Sequence, residues 1–514
     1  MTTAVQPDHE AVVIGGGFSG IGAAIRLKEA GIGYQVIEEA DDVGGTWHWN
    51  TYPGVAVDIP SFSYQFSFER RTDWSRVYAP GTELRGYALD LVEKYDLRRH
   101  IRFGTRVLGA TFDEDAHLWR LETSAGDEVT ARFVVTATGV LTIPKPPEIE
   151  GVEDFAGPTV HTARWNHDLD LRGKRVAVIG TGASAVQLIP ELAKEVSHLT
   201  VFQRTPIWCL PKLDGPMPGA VRWLMKKVPG GDLAARLASQ AFVEVTFPLA
   251  AHYSGVVPFG KLGEKLARKA LQEVEDPEVR EKLTPKYAVG CKRPSFHNSY
   301  LQTFNLEHVL LETEPIARIT PTGVVTDAGV VHEIDVLVLA TGFKVFESGN
   351  MPPFRVTGVD GVDLEAWWDE NRFQAYEGVS VPGFPNMFTV LGPYGYNGSS
   401  YFNLIETQTR HILRCLERAR REDATFIEVK REANDRYFRS MLARRGQQIF
   451  WQDSCAVANS YYFDKHGDVP FRPAPTIETT WRSMRFDLDD YRFATLADGG
   501  GAGGSDRSRG TVAA

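Results

Sequence analysis

Two glycine-rich turns, each set between a short apolar run and a run of small residues, constrain this 514-residue chain more than any other feature. The first is AVVIGGGFSGIGAA, with Gly15, Gly17 and Gly20; the second is RVAVIGTGASAVQL, with Gly180, Gly182 and Ala185. A strand before the turn and a helix after it make the opening of a βαβ unit. The first glycine permits the tight turn, the second lets the backbone approach a pyrophosphate, and the third small residue lets helix and strand pack closely. The helix amino terminus then faces the phosphates with about half a positive charge. Two such units imply two dinucleotides. The useful pair is a flavin and a nicotinamide, between which one chain can pass a hydride.

The residues downstream of each turn separate the two sites. Glu38 ends the next apolar run, about 18 residues beyond Gly20; a carboxylate there accepts hydrogen bonds from both ribose hydroxyls and repels a 2′-phosphate, which favours FAD or NAD. The second unit leads instead into FQRTP, with Arg204 and Thr205. A guanidinium can make bidentate bonds to a 2′-phosphate, so this site favours NADPH. Apolar runs ending in ATG occur at Ala137–Gly139 and again at Ala340–Gly342. This repeat predicts an α/β chain with two Rossmann-like folds, each closed by such a strand.

Two further stretches carry chemistry. In GGTWHWNTYPGVAVD, Gly44, Gly45 and Thr46 let backbone donors reach a phosphate or a flavin edge, while Trp47, Trp49 and Tyr52 offer flat apolar walls suited to an isoalloxazine ring. Asp58 closes the stretch, a position where an acid ordinarily caps a turn. GCKRPSFHNSY places Lys292 and Arg293 together. Such a pair is ordinarily solvated, but here it stands beside Pro294 and several aromatics, where the chain could re-enter a cleft.

Size and composition set the outer bounds. The length suits two or three domains rather than one core. A net charge of -10 argues against nucleic acid and against an anionic membrane surface as partners. The most apolar stretch, LASQAFVEVTFPLAA, is broken by Glu244 and Pro248 and reads as a buried or substrate-facing helix rather than a membrane span. Met1 to Glu10 is short and polar and does not resemble a signal peptide, so a cytoplasmic location is expected. The cysteines, Cys209, Cys291, Cys415 and Cys455, form no CxxC pair. That removes a redox-active disulfide of the thioredoxin-reductase kind and any metal-ligand spacing, and leaves four core or surface thiols.

Taken together, the motifs resemble those of the type I Baeyer–Villiger monooxygenases, FAD- and NADPH-dependent enzymes that insert one oxygen atom of O2 next to a ketone carbonyl. The family pattern FxGxxxHxxxW is matched by Phe155, Gly157, His161 and Trp165, with Asn166 where the family usually has Pro or Asp. GGTW…YPG…D ending in Asp58, CKRP with Arg293, the two ATG strands and VPGFPNMFTVLGP (Val381 to Pro393) also fit. Two segments depart from the family, Tyr394–Phe402 and Asn459–Gly467, the latter with Tyr461 and Tyr462 where many members carry a Trp. Both border the substrate space in the family, so substrate preference does not transfer.

The resemblance implies an FAD-binding domain in two parts, residues 1–142 and 343–495. A linker at 143–172, an NADP-binding domain at 173–342 with a helical insertion at about 211–283, and a disordered tail from 496 complete the expected organisation. It implies FAD contacts at Ser19, Glu38, Thr46, Trp47, Asp58 and Tyr64, with Val107 adding an adenine contact. Gly15, Gly17, Gly20 and Gly45 belong to the same site. NADPH contacts are implied at Gly180, Thr181, Gly182, Ala183 and Ser184, and at Arg204, Thr205, Lys292 and Arg293. His161 and Trp165 would couple the domains during cofactor movement. Arg293 is the candidate catalytic cation and Asp58 the acid that holds it. In the family, reduced flavin and O2 form a C4a adduct whose deprotonated form attacks a ketone to give an ester or lactone, with sulfoxidation as a side activity. The expected partners are a small-molecule ketone and O2, with no nucleic acid, no membrane span and no metal. Two rivals are a flavin monooxygenase that oxygenates only nitrogen or sulfur, and a flavoprotein that serves as a redox-responsive binding module.

Overall fold

The apolar run His9–Ile14 is a strand with four buried residues at its end, because it lies between two parallel neighbours, Tyr34–Ile37 and Glu128–Thr136. Strands covered on both faces read as continuous apolar runs rather than alternating ones. Arg175–Ile179 in the second unit is built the same way, between His198–Phe202 and Val336–Leu339. The computed structural model describes residues 6–254 and 259–496.

Two α/β layers result, as the paired turns predict. The larger sheet runs in the order 355–357, 107–113, 118–123, 128–136, 9–14, 34–37 and 101–102, with Met387–Thr389 pairing alongside Glu128–Thr136. The second sheet is wholly parallel, in the order 309–312, 198–202, 175–179, 336–339 and 159–161. Strands 355–357 and 387–389 of the larger sheet come after the last strand of the second sheet in the chain, so the chain leaves the first layer, builds the second and returns.

Three features differ from the sequence expectations or refine them. Thr159–His161, inside the segment expected to serve as a linker, is an edge strand of the second sheet. Three residues after Gly157 and Pro158 are too few to show a strand period. The run around Pro248 is a helix, Gly231–Glu244, continued by a π-helical turn at Val245–Leu249; Leu237 and Phe242 on it are 60% and 42% exposed while Val243 is buried. Among the described residues no helix is long and apolar enough to cross a membrane. The expectation of four thiols is corrected: Cys291 and Cys455 form a disulfide across 164 residues, with Cα atoms 5.2 Å apart, and Cys209 and Cys415 are buried free thiols. Spacing arguments detect only cysteines that are neighbours in sequence. The expectation for the tail falls on residues 497–514, which lie outside the described residues.

Candidate active site

The two glycine turns are built on one plan. Gly15 has φ +112° and Gly180 φ +111°, a region open to glycine and strained for other residues. A Cβ on Gly15 would lie 2.6 Å from the Ala137 carbonyl oxygen, and one on Gly180 would lie 2.5 Å from that of Ala340. These two alanines open the two ATG repeats, so each repeat is the wall against which its glycine turn is pressed. Gly17 and Gly182 are the N-caps of the helices Phe18–Glu29 and Ala183–Leu192. A side chain on Gly20 would run into the Gly15 carbonyl, and Ala185 takes the corresponding place, fully buried, in the second unit.

The first turn opens onto a cleft of about 960 Å³, its open mouth included. Gly15, Gly17, Ser19 and Glu38 line it from the first unit; Gly45, Thr46, Trp47 and Tyr64 line it from the aromatic stretch, and Val107 from the far side. Nine of the residues expected to meet FAD therefore meet one another. Gly20 lies beneath the turn, and Asp58 does not itself line this cleft. Glu38 is 5% exposed and accepts from the amides of Gly16 and of Ala40, the latter at 2.7 Å. Burial nevertheless pushes its carboxyl up, so further donors such as ribose hydroxyls would satisfy it. The Trp47 indole donates to the Tyr64 hydroxyl at 3.3 Å, which fixes two of the aromatic walls at right angles. Shape, glycine cradle and buried acid all fit an adenine dinucleotide.

At the second turn Thr181 donates from Oγ1 to the Thr205 carbonyl at 3.2 Å, which draws the strand end bearing Arg204 against the turn. Ala183 is exposed at the first helical position, and Ser184 hydrogen-bonds the Tyr52 hydroxyl. Arg204 and Lys292 feel each other's charge. Burial, and then Arg204, brings the Lys292 ammonium down to about 8. Among the described residues neither has a carboxylate partner, in contrast to the many paired arginines elsewhere, so the pair presents two neighbouring positive charges of a kind suited to an anion. A 2′-phosphate has the charge and valency to fill it.

Asp58 and Arg293 meet. The guanidinium donates from Nε to Oδ2 at 2.7 Å and from Nη2 to Oδ1 at 2.9 Å, and the two side chains are 29% and 24% exposed. Burial alone would push the Asp58 carboxyl up, but the Arg293 charge holds it below the usual carboxylate range; burial likewise disfavours the charge on Arg293, and Asp58 outweighs it. Arg293 is placed by the short strand Ser295–Phe296, which pairs in parallel with Cys209–Leu210. The Phe247 ring, from the π-helical turn, lies 5.6 Å from the guanidinium. The phenols of Tyr396, Tyr461 and Tyr462, from the two segments that depart from the family, lie near enough to feel its charge, Tyr461 being half exposed to solvent.

Other residues at the site carry no motif of their own. Gln187, on the helix Ala183–Leu192, accepts from the Tyr52 hydroxyl at 2.9 Å and donates to the Ala56 carbonyl at 2.9 Å. It thereby pins the stretch that ends in Asp58 to the second unit. Arg164, between the motif residues His161 and Trp165, lines the first cleft and lies 4.0 Å over Trp49. Tyr401 closes the cleft with a 2.8 Å hydrogen bond to Ser19. His161 caps its own turn, accepting from the Ala163 amide at 3.0 Å, and its other ring nitrogen is 3.3 Å from the Thr341 hydroxyl in the second ATG. Burial holds its imidazolium pKa below the ordinary value.

Fold and site together define an oxidoreductase that works with a flavin and a nicotinamide. Known proteins narrow this further. A family model of pyridine nucleotide-disulphide oxidoreductases matches residues 12–213. An uncharacterized monooxygenase of Mycobacterium tuberculosis is 38% identical over 85% of this chain and 87% of its own. A Baeyer–Villiger monooxygenase of Pseudomonas aeruginosa is 36% identical over 96% of this chain and 93% of its own. The closed crystal structure of cyclohexanone monooxygenase superposes with a TM-score of 0.84 at 31% identity, covering 95% of this chain and 99% of that one. The chain belongs to the Baeyer–Villiger monooxygenase family and is an NADPH-dependent flavin monooxygenase of that type.

Proposed function

We propose that this enzyme inserts one oxygen atom of O2 beside a ketone carbonyl to give an ester or lactone, with sulfide oxygenation as a side activity. The single observation that carries the reading is the bidentate Asp58–Arg293 pair, set next to the Lys292–Arg204 anion site. FAD, once bound and reduced by NADPH, supplies the activation of O2; everything else falls to the side chains.

Glu38 would hold the flavin ribose, and the amides of the Gly15–Ser19 turn would bind the flavin pyrophosphate. The Gly180–Ser184 turn would do the same for NADPH, while Arg204, Thr205 and Lys292 would bind its 2′-phosphate. Arg293 keeps its charge at any physiological pH, because a guanidinium does not titrate there. Fixed by Asp58, it stabilises negative charge on a reacting oxygen beside it, and on the ketone oxygen as the carbonyl carbon becomes tetrahedral. Phe247, Tyr396 and Tyr462 crowd that charge and limit its contact with water, which strengthens its field. A role for the Asp58–Arg293 pair at a carbonyl oxygen is what favours this reading over oxygenation of nitrogen or sulfur alone.

The test is product analysis. Holoenzyme, NADPH and O2 are incubated with cyclic, linear and aryl ketones and with sulfides. Ester or lactone from at least one ketone class is expected; sulfoxide as the sole product contradicts the proposal.

A further inference from the structure

We propose that Cys291 and Cys455 are positioning residues for the oxygenation step: their disulfide ties the segment carrying Arg293 to the segment carrying Tyr461 and Tyr462, and holds the wall around the guanidinium shut. The inference rests on the role given to Arg293 above.

Cys291 stands two positions before Arg293 and is fully buried, and Cys455 is 5% exposed. The chain around Cys291 has little regular structure to hold it. Its fixings are the turn from the Cys291 amide to the Ala288 carbonyl at 3.2 Å, the Ala288 amide donating to the Ser454 carbonyl at 3.3 Å, and Gly290 pressed against Ile449. The opposite segment is equally weak on its own, made of three-residue 3₁₀ turns at Arg445–Gln447, Ile449–Trp451 and Asp453–Cys455. Such short turns have poor hydrogen-bond geometry and depend on tertiary contacts.

This segment packs Phe450 against Tyr462 and Phe471 and Trp451 against Phe463, and its polar contacts run elsewhere. Gln448 Nε2 is 3.0 Å from His252 Nδ1, Ser254 donates to the Gln447 carbonyl at 3.2 Å, and Gln452 donates to the Ser254 hydroxyl at 2.7 Å. All three reach the helical insertion, and none reaches the Arg293 segment. The disulfide is the covalent link that joins the two weak segments directly, over a sequence separation of 164 residues.

Beyond Cys455 the chain runs within a few residues to Tyr461 and Tyr462, whose rings are 4.6 Å apart and whose phenols lie near enough to feel the charge of Arg293. Tyr462 is buried against Phe450 and Phe471 at 5.4 and 4.9 Å between centroids. A break at the disulfide removes the covalent tie and leaves this wall to its ring contacts and to the Ala288–Ser454 hydrogen bond, which loosens its hold beside the guanidinium.

The link is also addressable. Reduction by a dithiol transfers two electrons and two protons to the S–S bond, giving two thiols and the oxidised dithiol.

The test uses holoenzyme purified without reductant. Thiol titration in denaturant should find two thiols per chain, Cys209 and Cys415, and four after dithiothreitol. Cys455→Ser and Cys291→Ser should oxidise NADPH without ketone within about twofold of the unsubstituted enzyme, yet form several-fold less ester per NADPH consumed, with the difference released as hydrogen peroxide. Dithiothreitol should reproduce this in the unsubstituted enzyme and add nothing in Cys455→Ser. It should also speed trypsin cleavage at Arg444, Arg445 and Lys465, a readout independent of turnover and of either serine variant's folding.

Four thiols before reduction overturn the proposal, as does unchanged ester yield in both variants and after reduction, or an unchanged cleavage rate. If no ketone yields ester even with the disulfide intact, the proposed function fails, while the thiol count and the cleavage rate still decide the clamp.

Discussion

Arg293 gives Asp58 two hydrogen bonds, one to each carboxylate oxygen, although 235 positions separate them in the chain. Such paired, charge-assisted bonds fix the plane of the guanidinium as well as its place. Replacing Asp58 by Ala removes both bonds and leaves the cation free to turn. Hydrogen bonds to charged groups contribute about 1.5–3 kcal/mol. The expected loss in kcat for ester formation is therefore about 10- to 150-fold, with FAD content unchanged because Asp58 does not itself line the flavin cleft. The check is steady-state kinetics beside the flavin absorbance spectrum. The native carboxyl is held low, so its contribution to stability is present above the ordinary Asp range and is lost only as pH falls below it.

Lys292 gives NADPH binding a pH dependence of defined sign. Its pKa in the free enzyme is about 8, below the ordinary 10.5. The ammonium is present below that value and disappears as pH rises through it. NADPH affinity should therefore weaken from about pH 8 upward, while NADH, which lacks the 2′-phosphate, binds with a flatter profile. Lys292→Met should abolish the difference in slope, and Arg204→Ala should raise the KM for NADPH far more than that for NADH. Equal effects on both coenzymes in Arg204→Ala would remove it from the phosphate site. The same depressed pKa makes folding stability rise with pH between about 8 and 10.5, where the unfolded chain binds the extra proton.

Gly15 and Gly180 separate the two coenzymes cleanly. Alanine at either meets a carbonyl oxygen at 2.6 or 2.5 Å from its Cβ and is forced into a positive φ. The backbone conformation alone costs about 1–2 kcal/mol, and the contact adds to it. Gly15→Ala should purify with little or no yellow colour. Gly180→Ala should keep its FAD and show at least a tenfold higher KM for NADPH. FAD content by absorbance and NADPH titration check both.

The parts of this site legible in the sequence are those whose requirement is local. A glycine forced to positive φ, a strand buried on both faces and an acid at the end of the next strand each leave a mark within a few residues. The ATG repeats are visible too, and the structure supplies their reason in the contacts Gly15–Ala137 and Gly180–Ala340. The parts that are not legible depend on residues brought together from afar. Cys291 and Cys455 have no mutual spacing signal. Gln187 reads as an ordinary helical residue until the Tyr52–Ala56 stretch is laid against it. Thr159–His161 becomes a strand through its partner Val336–Leu339, not through its own pattern. Arg293 is an intermediate case: its sequence surroundings single it out only through family resemblance, and the bidentate partner gives the physical ground.

The most direct measurement is the ratio of ester formed to NADPH consumed in Arg293→Ala. Arg293 lies outside the flavin cleft, so the variant should bind FAD and oxidise NADPH. Its rate of ester formation should fall about 100- to 1000-fold, the loss of about 3–4 kcal/mol expected on removal of one fixed donor at a developing anion. An ester yield per NADPH equal to that of the unsubstituted enzyme would contradict the role of this cation and the account built on it.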